Sequence, residues 1–172
     1  MKTRIVVDSS SNLYTMEQAD FRCVPLKVVT DTQEYLDDAA LDAAAMAETL
    51  RTYKGKTGTS CPNVADWLEA YEGAEQLVVI TITGTLSGSY NAALLAGEEY
   101  RETCPGARVF GLDSLSAGPE IRLLAEKARE LVNTGRGCWA SGSSGRPATA
   151  ASWKCCARPA ASTARWNVSC WN

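Results

Sequence analysis

The run Leu77-Val78-Val79-Ile80-Thr81-Ile82 has no charge and no alternation of apolar with polar side chains, so a strand built from it must be covered on both faces. That is the condition of a strand inside a parallel sheet layered with helices. The flanking sequence agrees. Residues 83–89 form a loop of hydroxyls and glycines, after which Leu86, Tyr90, Ala93, Leu94 and Gly97 mark one side of a helix. The order recurs along the chain. Residues 4–7 and 109–112 read as short buried strands. Ile121, Leu124, Ala125, Ala128, Leu131 and Val132 mark a further helix, with Asn133 and Gly135 as stop signals. Asn63 is placed to cap a helix with Asp66 three residues on, and Val64, Trp67, Leu68 and Tyr71 fall on one side of it. Residues 38–53 read as another helix, with Met46, Leu50 and Tyr53 on one face. Residues 21–30 read as a β-branched strand in which Pro25 marks an edge or a bulge. Strand, loop and helix repeated in this way predict an α/β fold, a mostly parallel sheet with helices on both faces.

The pattern ends at Gly137. From 138 to 172 there is no Asp or Glu, and Val168 is the one aliphatic side chain larger than alanine. The stretch holds four of the seven cysteines (Cys138, Cys155, Cys156, Cys170) and four of the five tryptophans (Trp139, Trp153, Trp166, Trp171). It shows neither a strand nor a helix period and lacks the residues that build a core. This is the composition that out-of-frame translation of a G+C-rich gene produces. Residues 1–137 are therefore expected to form an α/β domain. Residues 138–172 are expected to be an irregular, low-order tail from a frameshift, with the true C-terminal half lost. No C-x2-C pair argues for a zinc module there.

Four loops in the body share one chemistry: Asp8-Ser9-Ser10-Ser11, Thr57-Gly58-Thr59-Ser60, residues 83–89 and Asp113-Ser114-Leu115-Ser116-Ala117-Gly118. In an open α/β sheet such loops gather at the carboxyl edge of the strands, where ligands bind. Neutral hydroxyls beside free helix-start N–H groups suit an anionic head such as a carboxylate or phosphate. Ser87 with the Gly88 and Ser89 amides is a candidate cradle for two carboxylate oxygens; the plainer alternative is that Ser87 is an N-cap worth about 1 kcal/mol. Thr59 and Ser60, read as lying in the turn before the helix at Asn63, either face the same rim or satisfy local backbone groups. Asp8, Ser9, Asn91, Asp113 and Ser114 are expected to brace these loops by hydrogen bonds rather than to bind a divalent metal. The segment is no P-loop, since it has no lysine.

Composition narrows the function. The chain of 172 residues has a net charge of −3 and no histidine. Without histidine there is no Ser-His-Asp or Cys-His nucleophile system and no His-ligated metal, so unless a lysine or a carboxylate serves as base the serines are read as binding groups rather than nucleophiles. No basic stripe suggests nucleic acid. The apolar run at residues 5–7 is too short for a leader or a membrane span, so a cytoplasmic protein is expected.

Five motifs in register then carry a resemblance. Asp8-Ser9-Ser10-Ser11-Asn12-Leu13, Val24-Pro25-Leu26, Thr59-Ser60-x-Pro62, Leu86-Ser87-Gly88-Ser89-Tyr90-Asn91 and Asp113-Ser114 with Ser116 and Gly118 resemble the DegV family of fatty-acid-binding proteins, over residues 3–135. The resemblance implies a protein that holds one long-chain fatty acid, with no cofactor and no catalytic residues. It implies that the carboxylate is held by Thr59 and Ser87, with Ser60 and Gly88 beside them, while the acyl chain enters an apolar tunnel. Some members present the acid to a fatty acid kinase, which makes that kinase the expected partner. Burying about 15 methylenes at roughly 0.8 kcal/mol each would contribute on the order of 12 kcal/mol before ordering costs. The head-group bonds then chiefly set orientation. Two departures stand out: Cys61 occupies the third place of a Thr-Ser-Gln-Pro-like motif, and nothing after Gly137 corresponds to the family's second domain. Weak or absent lipid retention is expected in consequence. The alternative reading from the loops alone is a phosphosugar- or nucleotide-binding α/β domain.

Overall fold

The computed structural model describes residues 2–136 together with the backbone of residues 167–170. In chain order the elements are β1 (Thr3–Asp8), a 3-10 turn (Ser9–Ser11), β2 (Asp20–Val24), β3 (Lys27–Thr30), β4 (Glu34–Leu36), α1 (Ala43–Thr52), β5 (Thr57–Ser60), α2 (Val64–Tyr71), β6 (Gln76–Thr81), α3 (Ser89–Thr103), β7 (Arg108–Asp113), α4 (Pro119–Asn133) and β8 (Asn167–Cys170). The main sheet runs β2-β1-β6-β7-β8. Its first four strands are parallel, and β8 joins β7 antiparallel.

Side chains alternate across this sheet and divide the core in two. Ile5 and Val7 of β1, with Val78 and Ile80 of β6, pack under Ile121, Ala125, Ala128 and Leu131 of α4. Val6, Leu77 and Val79 point the other way, against Trp67, Ala70 and Tyr71 of α2 and Ala93, Ala96 and Tyr100 of α3. Every residue of β6 is buried, as its unbroken apolar run requires. The second layer is also pinned by polar tips: Tyr71 Oη donates to the Ala93 carbonyl at 3.0 Å, and Tyr100 Oη donates to the Ala74 carbonyl at 2.9 Å. Close contact of α3 with β7 depends on glycine. A methyl group at Gly111 would stand 2.8 Å from Leu94 Cδ2, inside van der Waals contact.

The helix starts follow local chemistry. Asn63 Oδ1 accepts from Asp66 N at 3.0 Å and Asp66 Oδ2 accepts from Asn63 N at 2.8 Å, a reciprocal cap on α2. Pro119 opens α4, where its missing N–H costs nothing.

A second sheet, β4-β3-β5, is small and antiparallel. None of its residues is buried, and α1 beside it in sequence has none either.

Three expectations change. The strand foreseen over residues 21–30 breaks at Pro25-Leu26 into β2 of the main sheet and β3 of the small one, because proline cannot continue a ladder. Residues 57–60, foreseen as a turn, form β5, with Thr59 opposite Val28. The helix foreseen from residue 38 starts at Ala43, where Asp42 accepts from Ala45 N at 2.9 Å and so caps it. Within the stretch from 138 to 172 only residues 167–170 are described, and their backbone pairs with β7 as β8. The expected frame break at 137 and the rest of residues 138–172 lie outside the described residues.

Candidate head-group site at the carboxyl edge

The strand order reverses between β1 and β6, since β1 leads to β2 on one side while β6 and β7 follow on the other. Ligands in open α/β sheets bind outside the carboxyl ends of the strands at such a point. Three of the four hydroxyl-rich segments are there: the Asp8 turn after β1, the Thr83–Gly88 stretch after β6 and the Asp113 loop after β7.

Two carboxylates hold these loops together. Asp8 is fully buried. Its Oδ2 accepts from Ile82 N at 2.9 Å and from Ser89 Oγ at 2.7 Å, and its Oδ1 accepts from Ser10 Oγ. Burial pushes the Asp8 carboxyl up from its ordinary value, against the hydrogen bonds of Ser10, Ser89 and Ile82, which pull it down. Asp113, also buried, accepts from Gly84 N at 3.2 Å and from Leu115 N at 2.9 Å. Thr83 N donates to the Ser116 carbonyl at 2.9 Å, which joins the second loop to the third. Ser114 Oγ donates to the Ser116 carbonyl at 3.0 Å and accepts from Ser116 N at 3.1 Å. Ser9 Oγ accepts from Leu26 N at 3.0 Å, and so turns the chain at Val24-Pro25-Leu26. Asp8, Ser9, Asp113 and Ser114 are thus bound into the loops. Asn91 is exposed on α3 and makes no side-chain bond to them among the described residues.

Ser87 sits just before the start of α3 and accepts from Ser89 N at 3.2 Å. It therefore satisfies one of the N–H groups that a helix start leaves without an intrahelical partner. Gly88 is exposed beside it. Thr59 and Ser60 are exposed on β5, where consecutive side chains project to opposite faces. Ser60 Oγ donates to the Cys61 carbonyl at 3.2 Å. The two segments meet through Cys61: a methyl group on Gly88 would stand 3.1 Å from Cys61 Sγ. The end of β5 thus packs on the start of α3, although 28 positions of sequence separate Thr59 from Ser87. Leu86, immediately before Ser87, and Leu115, on the adjoining loop, are both exposed, the former by 70%.

Sequence reasoning did not anticipate Ser10 and Ser89 as partners of Asp8, nor Cys61 as the packing link to Gly88. The hydroxyl-rich pattern contains the two serines, and Ser10 reaches Asp8 within its own turn, but only the register of β1 against β6 brings Ser89 to the same carboxylate.

Reactive groups are scarce nearby. The Cys23 thiol is pushed up to about 12 by burial and by the charges of Asp8, Asp37 and Asp38, which leaves it protonated at neutral pH. Among the described residues no cluster of His, Cys, Asp and Glu can hold a metal ion, and no helix is long and apolar enough to cross a membrane. A cleft of about 640 Å³ between β2, β3 and α2 has a mixed lining, in which the charged side chains of Arg4, Arg22, Lys27, Asp66, Glu69 and Glu72 stand beside Cys23, Val24, Pro25, Leu36 and Ala70.

Comparison with known proteins places this arrangement. A family model described as "Uncharacterised protein, DegV family" matches residues 2–138. A DegV domain-containing protein of Streptococcus pneumoniae is 39% identical over 139 residues, which are 78% of this chain and 50% of that protein. One from Streptococcus pyogenes serotype M3 is 40% identical over the same shares. Two solved structures are similar in fold. The Streptococcus pneumoniae Fatty Acid Kinase (Fak) B3 protein loaded with linoleic acid is 39% identical, with a TM-score of 0.76 over 78% of this chain and 50% of that one. A DegV family protein from Eubacterium eligens loaded with heptadecanoic acid is 36% identical, with a TM-score of 0.76 over 78% of this chain and 49% of that one. The chain therefore spans about half the length of the relatives it matches.

Proposed function

This chain belongs to the DegV family, and from that membership we propose that it binds a long-chain fatty acid by its carboxylate, at the meeting of β5 with the start of α3. Thr59 donates from the strand. Ser60, its proton directed to the Cys61 carbonyl, shapes the turn. Ser87 donates from the other side, with the Gly88 amide beside it. Asp8, Ser9, Asp113 and Ser114 hold the loops. Leu86 and Leu115 give the first methylenes an apolar landing. The chain catalyses nothing; it works in the cytoplasm as a carrier that presents the head group to a fatty acid kinase.

The observation that carries this reading is the packing of Cys61 on Gly88, which brings two uncharged hydroxyl segments together. Relatives of similar fold loaded with linoleic and heptadecanoic acids support the choice of ligand. The test is mass spectrometry of lipid extracted from the purified chain, followed by titration with oleate and, separately, with a sugar phosphate. Weak but saturable oleate binding, lost in Thr59→Ala and Ser87→Ala, is the expected result. Preferential binding of the sugar phosphate would replace this reading with that of a phosphate-binding domain.

A further inference from the structure

We propose that Asp8 is a positioning residue of the head-group site, holding Ser87 through Ser89 so that the Ser87 hydroxyl proton is left for the bound carboxylate; this rests on Ser87 being a head-group donor. The argument is an inventory of protons. Ser10 Oγ, Ile82 N and Ser89 Oγ all converge on Asp8. All three arrive as donors, an arrangement that only an ionised carboxylate, an acceptor at both oxygens, satisfies in full. With its hydroxyl turned down to Asp8 at 2.7 Å, Ser89 is fixed at the first turn of α3, and its N–H reaches Ser87 Oγ at 3.2 Å. A serine hydroxyl has one proton and two lone pairs. Ser89 N–H occupies a lone pair of Ser87, and no acceptor for the Ser87 proton exists among the described residues. That proton therefore points out of the loop, towards whatever enters at the carboxyl edge.

The direction decides what Ser87 can bind. Turned inward, the hydroxyl would show lone pairs to the ligand and repel a carboxylate. Turned outward, it gives a charge-assisted hydrogen bond. Asp8 also holds Ile82 N at the root of the same loop, so one buried carboxylate fixes both of its ends. Asp113 grips the loop at Gly84 N and does not touch Ser89, which makes it the natural control.

The test uses the full chain and two probes, oleate and its methyl ester. The ester keeps the acyl chain and loses the charge that Ser87 would serve. Asp8→Asn and Ser89→Ala should each weaken oleate binding about tenfold, as loss of one hydrogen bond to a charged group does, and leave the ester within about twofold. Asp113→Asn should weaken both probes alike. Ser89→Ala keeps the bonds of Asp8 to Ser10 and Ile82, so it remains informative should Asp8→Asn fail to fold. Equal weakening of acid and ester, or none, in Ser89→Ala overturns the proposal. Absence of oleate binding by the unmodified chain would instead remove the fatty-acid reading. Amide exchange at position 89 then judges the Asp8 tie alone: faster exchange in Asp8→Asn upholds it, and unchanged exchange overturns it.

Discussion

The parallel sheet and the small antiparallel sheet are held in different ways, and each carries one of the two hydroxyls proposed to hold the head group. Ser87 follows β6, a strand buried along its whole length, and its loop is gripped by two buried carboxylates. Thr59 lies on β5, a fully exposed strand joined to its neighbour by backbone pairing alone. The arm formed by β3, β4, α1 and β5 has no buried residue of its own. Its ties are peripheral, such as Tyr14 Oη donating to Asp37 at 2.7 Å and Lys56 N donating to Asp31 at 3.1 Å. Half of the proposed site is thus held in place by the main sheet, and the other half stands on a segment with few buried contacts, the kind that opens locally at low free energy.

The largest test of this contrast is cavity formation. Trp67 is fully buried between α2 and the sheet. Trp67→Ala should cost about 3–5 kcal/mol in urea denaturation, while Met46→Ala on α1 should cost less than about 1 kcal/mol. Similar costs would mean that the arm is as firmly packed as the core. Gly111→Ala is next: the new methyl meets Leu94 Cδ2 at 2.8 Å, and overpacking should cost about 1–3 kcal/mol. Asn63→Ala, which removes the cap of α2, should cost about 1 kcal/mol. Hydrogen exchange sharpens the contrast without mutation. Amides of β1 and β6 should exchange only through global unfolding, and those of β3 and β5 much sooner, with oleate slowing the second group most. Equal protection in the absence of ligand would break the comparison.

The same contrast explains what could be read in advance. β6 announces itself because burial on both faces selects the unbroken apolar run from Leu77 to Ile80 between Gln76 and Thr81, and the α2 cap because Asn63 and Asp66 bond each other within one turn. The arm has no such signal. Thr57-Gly58-Thr59-Ser60 is polar, short and glycine-containing, so it reads as a loop, and only its pairing with Lys27–Thr30 makes it a strand. The same holds at the site. The hydroxyl-rich loops and both aspartates stand out in the sequence, whereas the bond from Ser89 to Asp8 spans 81 positions and follows from strand register. Side-chain type says what can bond; topology says to what.

The smallest effect separates two buried-edge aspartates by sign. Burial alone would push the Asp20 carboxyl up, but the hydrogen bonds and charges of Arg4 and Lys2 outweigh it and hold the carboxyl below its ordinary value of 3.8. A carboxyl lowered on folding contributes stability that is present above its unfolded pKa and is lost as pH falls through its folded one. Asp20 therefore costs the protein stability only on the acid side of 3.8. Asp8 is raised by burial, so the sign reverses. The native state holds its proton more tightly than the unfolded chain does, and the contribution is full below 3.8 and lost as pH rises through the folded value. Urea midpoints measured from pH 3 to pH 7 for the unmodified chain, Asp8→Asn and Asp20→Asn isolate the two, because other carboxylates cancel in the differences. Relative to the unmodified chain, Asp20→Asn should recover as pH falls below 3.8 and Asp8→Asn should recover as pH rises above it. If both differences moved in the same direction, the hydrogen bonds from Ser10, Ser89 and Ile82 would outweigh the burial of Asp8, and the edge of the main sheet would be held by charge in the same way as its Arg4–Asp20 corner.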